Sequence, residues 1–404
     1  MPGAKAARHR FRCRKTKWLR LCAGSSTRRR RTGSADVTLA ETILSRFAAE
    51  GIGLAEVPIL QPADPFLDMA GEDLRRRIFL TQSETGESLC LRPEFTIPVC
   101  LDHIARQAGT PRRYAYLGEV FRQQRDSGTE FLQAGIEDLG EADVAQADAR
   151  SIADAWRLLR AALPNQSLAV TIGDQAVFES VLAALGLPRG WQMRLLRAFG
   201  SPAMLQAALA DLANPPKRRS LGTSIARIVA ARDVEALAGF VEARMNETGL
   251  SPAAGRSPTE IARRLIDKAE LGAVRLADEA FEALRQFLSI RVPLSQAPAA
   301  LQQFADEADL VLDTALEQFS RRAEAVGAEA VESDAVLYDA SFGRPLDYYT
   351  GLVFEIRAEN DARSLVGGGR YDRLLTMLGA ADPIPGVGFS VWLDRVEALR
   401  GVTP

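Results

Sequence analysis

Tyr114-Ala-Tyr-Leu-Gly-Glu-Val-Phe-Arg122 and Phe131-Leu-Gln-Ala-Gly-Ile-Glu-Asp-Leu139 are two β-type runs separated by the polar, glycine-containing loop Gln123–Thr129. On their N-terminal side, apolar Ile43, Leu44, Phe47 and Ala48 recur at helical spacing before Gly51 and Gly53, and predict a first helix. Glu56-Val-Pro-Ile-Leu60 reads as a strand, the Pro-rich Gln61–Phe66 as a turn, and Ser83-Glu-Thr-Gly86 as a hairpin turn between Arg77–Thr81 and the strand Ser88–Arg92. The pattern is antiparallel sheet with helical insertions, an α+β class, rather than alternating βαβ.

From 143 to 332 the composition shifts to Ala, Leu and Arg at helical period, with one strand candidate at Leu168–Ile172. Charged residues there, such as Arg157, Glu242 and Glu307, read as solvated helix faces. Strand character returns at Ala335–Asp339, Leu352–Arg357 and Ser364–Gly368, and a helix is predicted over Phe389–Arg400. The expected organisation is a disordered basic leader over 1–34, a core made of 35–142 and 333–404, and a mostly helical middle, 143–332, with an insertion subdomain.

The net charge of −2 conceals an asymmetry. Met1–Ser34 holds twelve of the 50 Lys and Arg and no acid, so the remainder carries 38 basic against 52 acidic residues, a balance of −14. Such a body repels nucleic-acid phosphates. The leader itself reads as a nucleic-acid arm, a transit peptide, a disordered tail, or the product of a start codon placed too far upstream. No run has the ~18 consecutive apolar residues of a membrane-spanning helix, and a cytoplasmic protein is expected. Cys13, Cys22, Cys90 and Cys100 lack metal-ligand spacing and predict reduced thiols, while His9 and His103 are too few for Ser-His-Asp chemistry or a histidine-rich metal site. Neither metal nor cofactor is expected.

Several segments fall in an order that resembles the class II aminoacyl-tRNA synthetases, specifically the histidine enzyme and its regulatory paralogues. The resemblance covers about residues 38–140 and 335–397. Pro58 stands where the family's first motif forms a dimer interface, and Leu91-Arg-Pro-Glu-Phe-Thr96 matches a segment whose glutamate, here Glu94, faces the amino-acid pocket. A carboxylate at that position accepts from an α-ammonium group. Phe121-Arg-Gln-Gln124 stands in the second motif, with Arg122 at the phosphate-clamping position and Gln124 where the family has glutamate. Thr129-Glu-Phe-Leu-Gln133 replaces Arg-x-Phe-x-Gln and so lacks a second cation for a polyphosphate. Gln133 and Glu137 match positions that hold histidine, and four residues apart on a strand they share a face.

Gly343-Arg-Pro-Leu-Asp-Tyr-Tyr-Thr-Gly351 is close to the family's Arg-Gly-Leu-Asp-Tyr-Tyr motif. The resemblance implies that Arg344 occupies the catalytic-arginine position, where it can equally bind the histidine carboxylate, and that Tyr348 and Tyr349 wall an imidazole pocket. Gly367-Gly-Gly-Arg-Tyr-Asp372 lacks the spacing of a phosphate-binding glycine loop. In the family its glycines bring a strand close to the amino acid, and Tyr371 closes the pocket. Gly386–Arg395 resembles the third motif, with Arg395 either a residual nucleotide contact or a helix-surface arginine.

About 100 further residues would form the family's anticodon-binding module, and only nine follow Arg395. The resemblance therefore implies a histidine-binding regulatory subunit: a homodimer within a hetero-oligomer, docked on a short ATP phosphoribosyltransferase catalytic subunit, with no tRNA or membrane partner. The alternative is a truncated ligase that still forms histidyl adenylate through Arg122, Arg344 and Arg395.

Overall fold

A computed structural model of the chain describes residues 38–69, 71–124, 128–214, 223–249, 257–271, 276–329, 331–332 and 335–401. The basic leader expected over 1–34, with Cys13, Cys22 and His9, lies outside the described residues.

Among the described residues twelve strands form in chain order: β1 (Gly53–Leu54), β2 (Leu60–Pro62), β3 (Leu80–Gln82), β4 (Ser88–Leu91), β5 (Arg112–Phe121), β6 (Glu130–Leu139), β7 (Leu168–Asp174), β8 (Arg291–Pro293), β9 (Val336–Asp339), β10 (Leu352–Ala358), β11 (Ser364–Arg370) and β12 (Gly386–Trp392). Nine of them build one sheet in the order β1-β5-β6-β12-β11-β10-β7-β9-β8, and β2-β4-β3 form a small second sheet. The six central strands are antiparallel, as the hairpin pattern predicts, and only β1–β5 and β7–β9 pair in parallel.

The alternation of β6 divides the molecule. Ala134 and Ile136 point into a core shared with the helix Val144–Ala162 and much of the helical middle region, whereas Leu139 joins a second core built from Tyr116, Tyr348, Tyr349 and Tyr371. The candidate site lies on the second side. Three helices, Thr223–Ala230, Val234–Glu247 and Pro258–Leu271, have a small apolar core of their own around Val229, Leu237, Ala262 and Ile266.

Two local expectations are corrected. Glu56–Leu60 is not a strand: only Leu60 enters a ladder, because Pro58 has no N–H to give. The carbonyls of Val57 and Pro58 instead accept from the buried Arg92 guanidinium, at 2.7 and 3.4 Å. Nor is Phe389 helical. The ladder to β6 and β11 holds Gly386–Trp392 extended, and the helix occupies only Leu393–Leu399. The middle region also contributes β7 and β8 to the main sheet, β7 pairing along its whole length with β10.

A chain of buried ion pairs ties that region to the sheet. Arg370 at the end of β11 binds Asp148 (2.7 Å) and Asp372 (2.7 Å), while Arg322 binds Asp148 (3.1 Å) and Asp174 (2.9 Å). Asp174 also caps the helix Gln175–Ala184 through the amides of Ala176 and Val177. Asp148, Arg370, Asp174 and Arg322 are all buried, so each charge depends on its partners.

Candidate functional site

A cavity of about 90 Å3 opens on the second face of the sheet, lined by Glu94, Thr96, Arg122, Gln133, Arg344, Tyr348, Tyr349 and Tyr371, with Leu74, Arg77, Ser390 and Trp392 among the other walls. Six of the seven residues expected to hold histidine are in this lining. The seventh, Glu137, stands behind it: its carboxylate accepts from Thr96 Oγ1 at 2.7 Å and from the Tyr371 hydroxyl, and so fixes two lining side chains.

The lining depends on atoms that are missing from the sheet. On β12, a Cβ at Gly388 would overlap Glu137 Oε2, and one at Gly386 would overlap the Tyr371 ring. On β11, the Arg344 guanidinium lies where a Cβ of Gly367 would be. All three glycines therefore make room for the site's own side chains, whereas the family resemblance had implied for those of 367–369 a close approach to the bound amino acid.

Gln133 is buried to 1% exposure, and neither the nitrogen nor the oxygen of its amide has a hydrogen-bond partner among the described residues. Buried polar groups are paired in the great majority of cases, and this amide on the cavity wall presents a donor and an acceptor to whatever occupies the cavity. Glu94 shows the opposite economy. Its two oxygens accept the amides of Thr96 (2.7 Å) and Ile97 (2.9 Å) at the start of the helix Thr96–Ala105. These bonds aim the carboxylate while leaving lone pairs for a cation.

Burial dominates the electrostatics. It raises the Glu94 carboxyl, against the pull of its two backbone amides, and pushes Glu137 up to about 8 despite the Tyr371 and Thr96 hydroxyls. Tyr349 rises to about 12 through burial, opposed by Arg344. Burial lowers Arg122 to about 10, with Glu94 opposing and Arg344 and Arg395 adding to the fall. The cavity thus sets two buried carboxyls among hydroxyls and a cluster of arginines.

A pH dependence follows. The folded chain binds the Glu137 proton more tightly than the unfolded chain, so the contribution of this group to stability is greatest below the ordinary carboxylate range and falls as pH rises from there to about 8, then levels. Urea midpoints between pH 5 and pH 9 should show this decline, shallower in Glu137→Gln. A decline of equal slope in both proteins would refute it.

The two expected nucleotide contacts separate. Arg122 lines the cavity, with Nε donating to Pro93 O at 2.7 Å and its guanidinium 5.6 Å from the Phe131 ring. Arg395 lies outside the lining: it stacks over Trp392 at 4.6 Å and donates to Ser364 O at 2.6 Å. Sequence reasoning missed Glu355, a buried acid on β10 that also holds Arg357 and Ser364 and lies 3.9 Å from Arg344. It also missed Tyr116, which fills the space over Gly135 and bonds Ser390 Oγ at 2.7 Å. An acid in an apolar strand was a legible signal for Glu355; Tyr116 left none. Among the described residues, Cys90 and Cys100 are unpaired buried thiols, no cluster of three metal-ligating side chains occurs, and no helix is long and apolar enough to cross a membrane.

Comparison with known proteins places this architecture. Residues 24–234 and 236–396 match the histidyl-tRNA synthetase family model. An ATP phosphoribosyltransferase regulatory subunit of Mesorhizobium japonicum is 66% identical over 366 residues, 91% of this chain and 98% of that protein. One from Agrobacterium fabrum is 57% identical over 359 residues, 89% and 96% of the two chains. Among solved structures, a histidine–tRNA ligase subunit of Alicyclobacillus acidocaldarius superposes with a TM-score of 0.55 at 25% identity, covering 94% of this chain and 98% of its own. The histidyl-tRNA synthetase of Nostoc shares the fold, with a TM-score of 0.60 at 16% identity over 91% of this chain and 72% of its own. With an antiparallel sheet flanked by helices and this degree of identity, the chain belongs to the histidyl-tRNA synthetase family, and within it to the ATP phosphoribosyltransferase regulatory subunits.

Proposed function

We propose that this chain binds L-histidine in the cavity and conveys feedback to a separate, short catalytic ATP phosphoribosyltransferase at the first step of histidine biosynthesis. The observation that carries the reading is the open amide of Gln133, buried among a carboxylate, tyrosines and an arginine. Glu94 takes the α-ammonium group, Arg344 the carboxylate, and Tyr349 and Tyr371 face the imidazole, whose two nitrogens need a donor and an acceptor. Feedback is then a coupling between histidine binding and the partner's active arrangement. Exposed Leu54, Ile59, Leu60 and Leu80 around Pro58 support homodimerisation through that segment. We place the complex in the cytoplasm.

Calorimetric titration of the purified chain with L-histidine, alone and with the catalytic subunit, tests this; no heat in either case refutes it. Glu94→Gln should weaken binding by roughly tenfold or more, the worth of a charged hydrogen bond, and Tyr349→Phe by about tenfold at most. Assembly with the catalytic subunit should survive both. A histidyl-adenylate-forming ligase is the second reading, favoured by Arg122 and Arg344 in the lining. Histidine-dependent pyrophosphate exchange would support that reading, and its absence leaves regulation.

A further inference from the structure

Arg344 is carried by a loop that a turn from the helical middle region crosses, backbone against backbone. The helix Arg189–Ala198 ends in Phe199-Gly200. A Cβ on Gly343 would come within 2.5 Å of Phe199 O and 2.6 Å of Phe199 Cδ1, and one on Gly200 would overlap the carbonyl group of Arg344 and the nitrogen of Pro345. Neither glycine has a positive φ. Space, rather than backbone conformation, therefore demands glycine at both positions.

The atoms in the way are mainly backbone, and backbone held in a packed interior cannot swing aside as a side-chain tip can. Both halves of the crossing are anchored. The Phe199 ring stacks on Phe178 at 4.3 Å, and Gly173 at the end of β7 lies so close under the loop that a Cβ there would overlap Phe342 O. From this fixed origin the Arg344 side chain runs over Gly367 towards Glu355.

We propose that Gly200 and Gly343 are positioning residues: their crossing sets the backbone of Arg344, and hence whether its guanidinium meets the carboxylate of a bound amino acid. This rests on the reading of the cavity as a histidine site with Arg344 at the carboxylate. It gives the helical middle region a part in ligand selection although Gly200 is not in the cavity lining.

The test is calorimetry on the full chain with L-histidine and with L-histidinol, which keeps the imidazole and the amine but lacks the carboxylate. The wild-type chain should prefer histidine. Gly200→Ala should cut that preference by roughly tenfold or more, through loss of a charged hydrogen bond, and leave histidinol binding nearly unchanged. In an Arg344→Met background Gly200→Ala should cause no further loss of preference. A role confined to stability would lower the melting temperature and leave the preference alone. A wild-type chain that binds histidine, with a Gly200→Ala variant of unaltered preference, overturns this proposal and spares the histidine reading; a wild-type chain that binds neither ligand overturns both. Should Gly200→Ala fail to fold, Phe199→Leu keeps the backbone and trims the ring against Gly343. A smaller loss of preference is then expected, and none overturns the proposal.

Discussion

Asp148→Ala is expected to destabilise the chain by about 3–5 kcal/mol, the cost of removing one partner from a buried ion pair. Asp148 is wholly buried and serves Arg370, itself 1% exposed, together with Arg322. Without it Arg322 keeps Asp174 and Arg370 keeps Asp372, but both guanidinium groups remain out of water with fewer acceptors. The loss reaches the site through the backbone, because Thr350 N donates to Arg370 O at 2.8 Å and Thr350 adjoins Tyr349. Denaturant midpoints measure the effect, and a loss below about 1 kcal/mol would contradict it. Asp148→Leu combined with Arg370→Met should be milder than Asp148→Ala alone, since an apolar pair of similar volume leaves one fewer buried charge to satisfy.

Gln133→Leu should move stability and binding in opposite directions. A buried amide with neither end paired costs about 1–3 kcal/mol of desolvation that the empty site does not recover. Leucine removes that cost at similar volume, so the apo variant should melt at a higher temperature than wild type. Histidine affinity should fall by about ten- to a hundredfold, as two hydrogen bonds to the ligand are lost. A variant that is destabilised, or that binds histidine as tightly as wild type, would show that Gln133 is structural. The opposed outcomes are the stability–function trade-off expected where an interior polar group is kept for a ligand.

What could be read in advance was what short-range pattern controls. The alternation along β5 and β6 declares two strands, and the spacing of Gln133 and Glu137 places both on the site's side of the sheet. The paired tyrosines after Asp347 identify an aromatic wall that the structure forms from Tyr348, Tyr349 and Tyr371. Long-range features were illegible because their cause lies far along the chain. Phe389–Trp392 looks helical in isolation and is extended only because β6 and β11 flank it. Gly200 gives no signal of its own, since what forbids a side chain there is a loop more than a hundred residues away. Arg395 reads equally as a residual nucleotide contact or a helix-surface arginine, and its bond to the carbonyl of Ser364, thirty-one residues earlier, could not be read from its own segment.

The order of the main sheet bears on how the chain is made. β11 and β12 occupy its centre, between β6 and β10, although they follow both of those strands in the chain. Until residues 364–392 emerge, β6 and β10 each present an open edge, and the earlier strands cannot be joined into one sheet. Such edges invite pairing between nascent chains, and the closing contacts are of high sequence separation, which slows folding. A ribosome stalled ahead of β11 would hold a chain with the tyrosine motif and Gln133 already synthesised and no pocket to put them in, so the cavity forms only once residues 364–392 are in place.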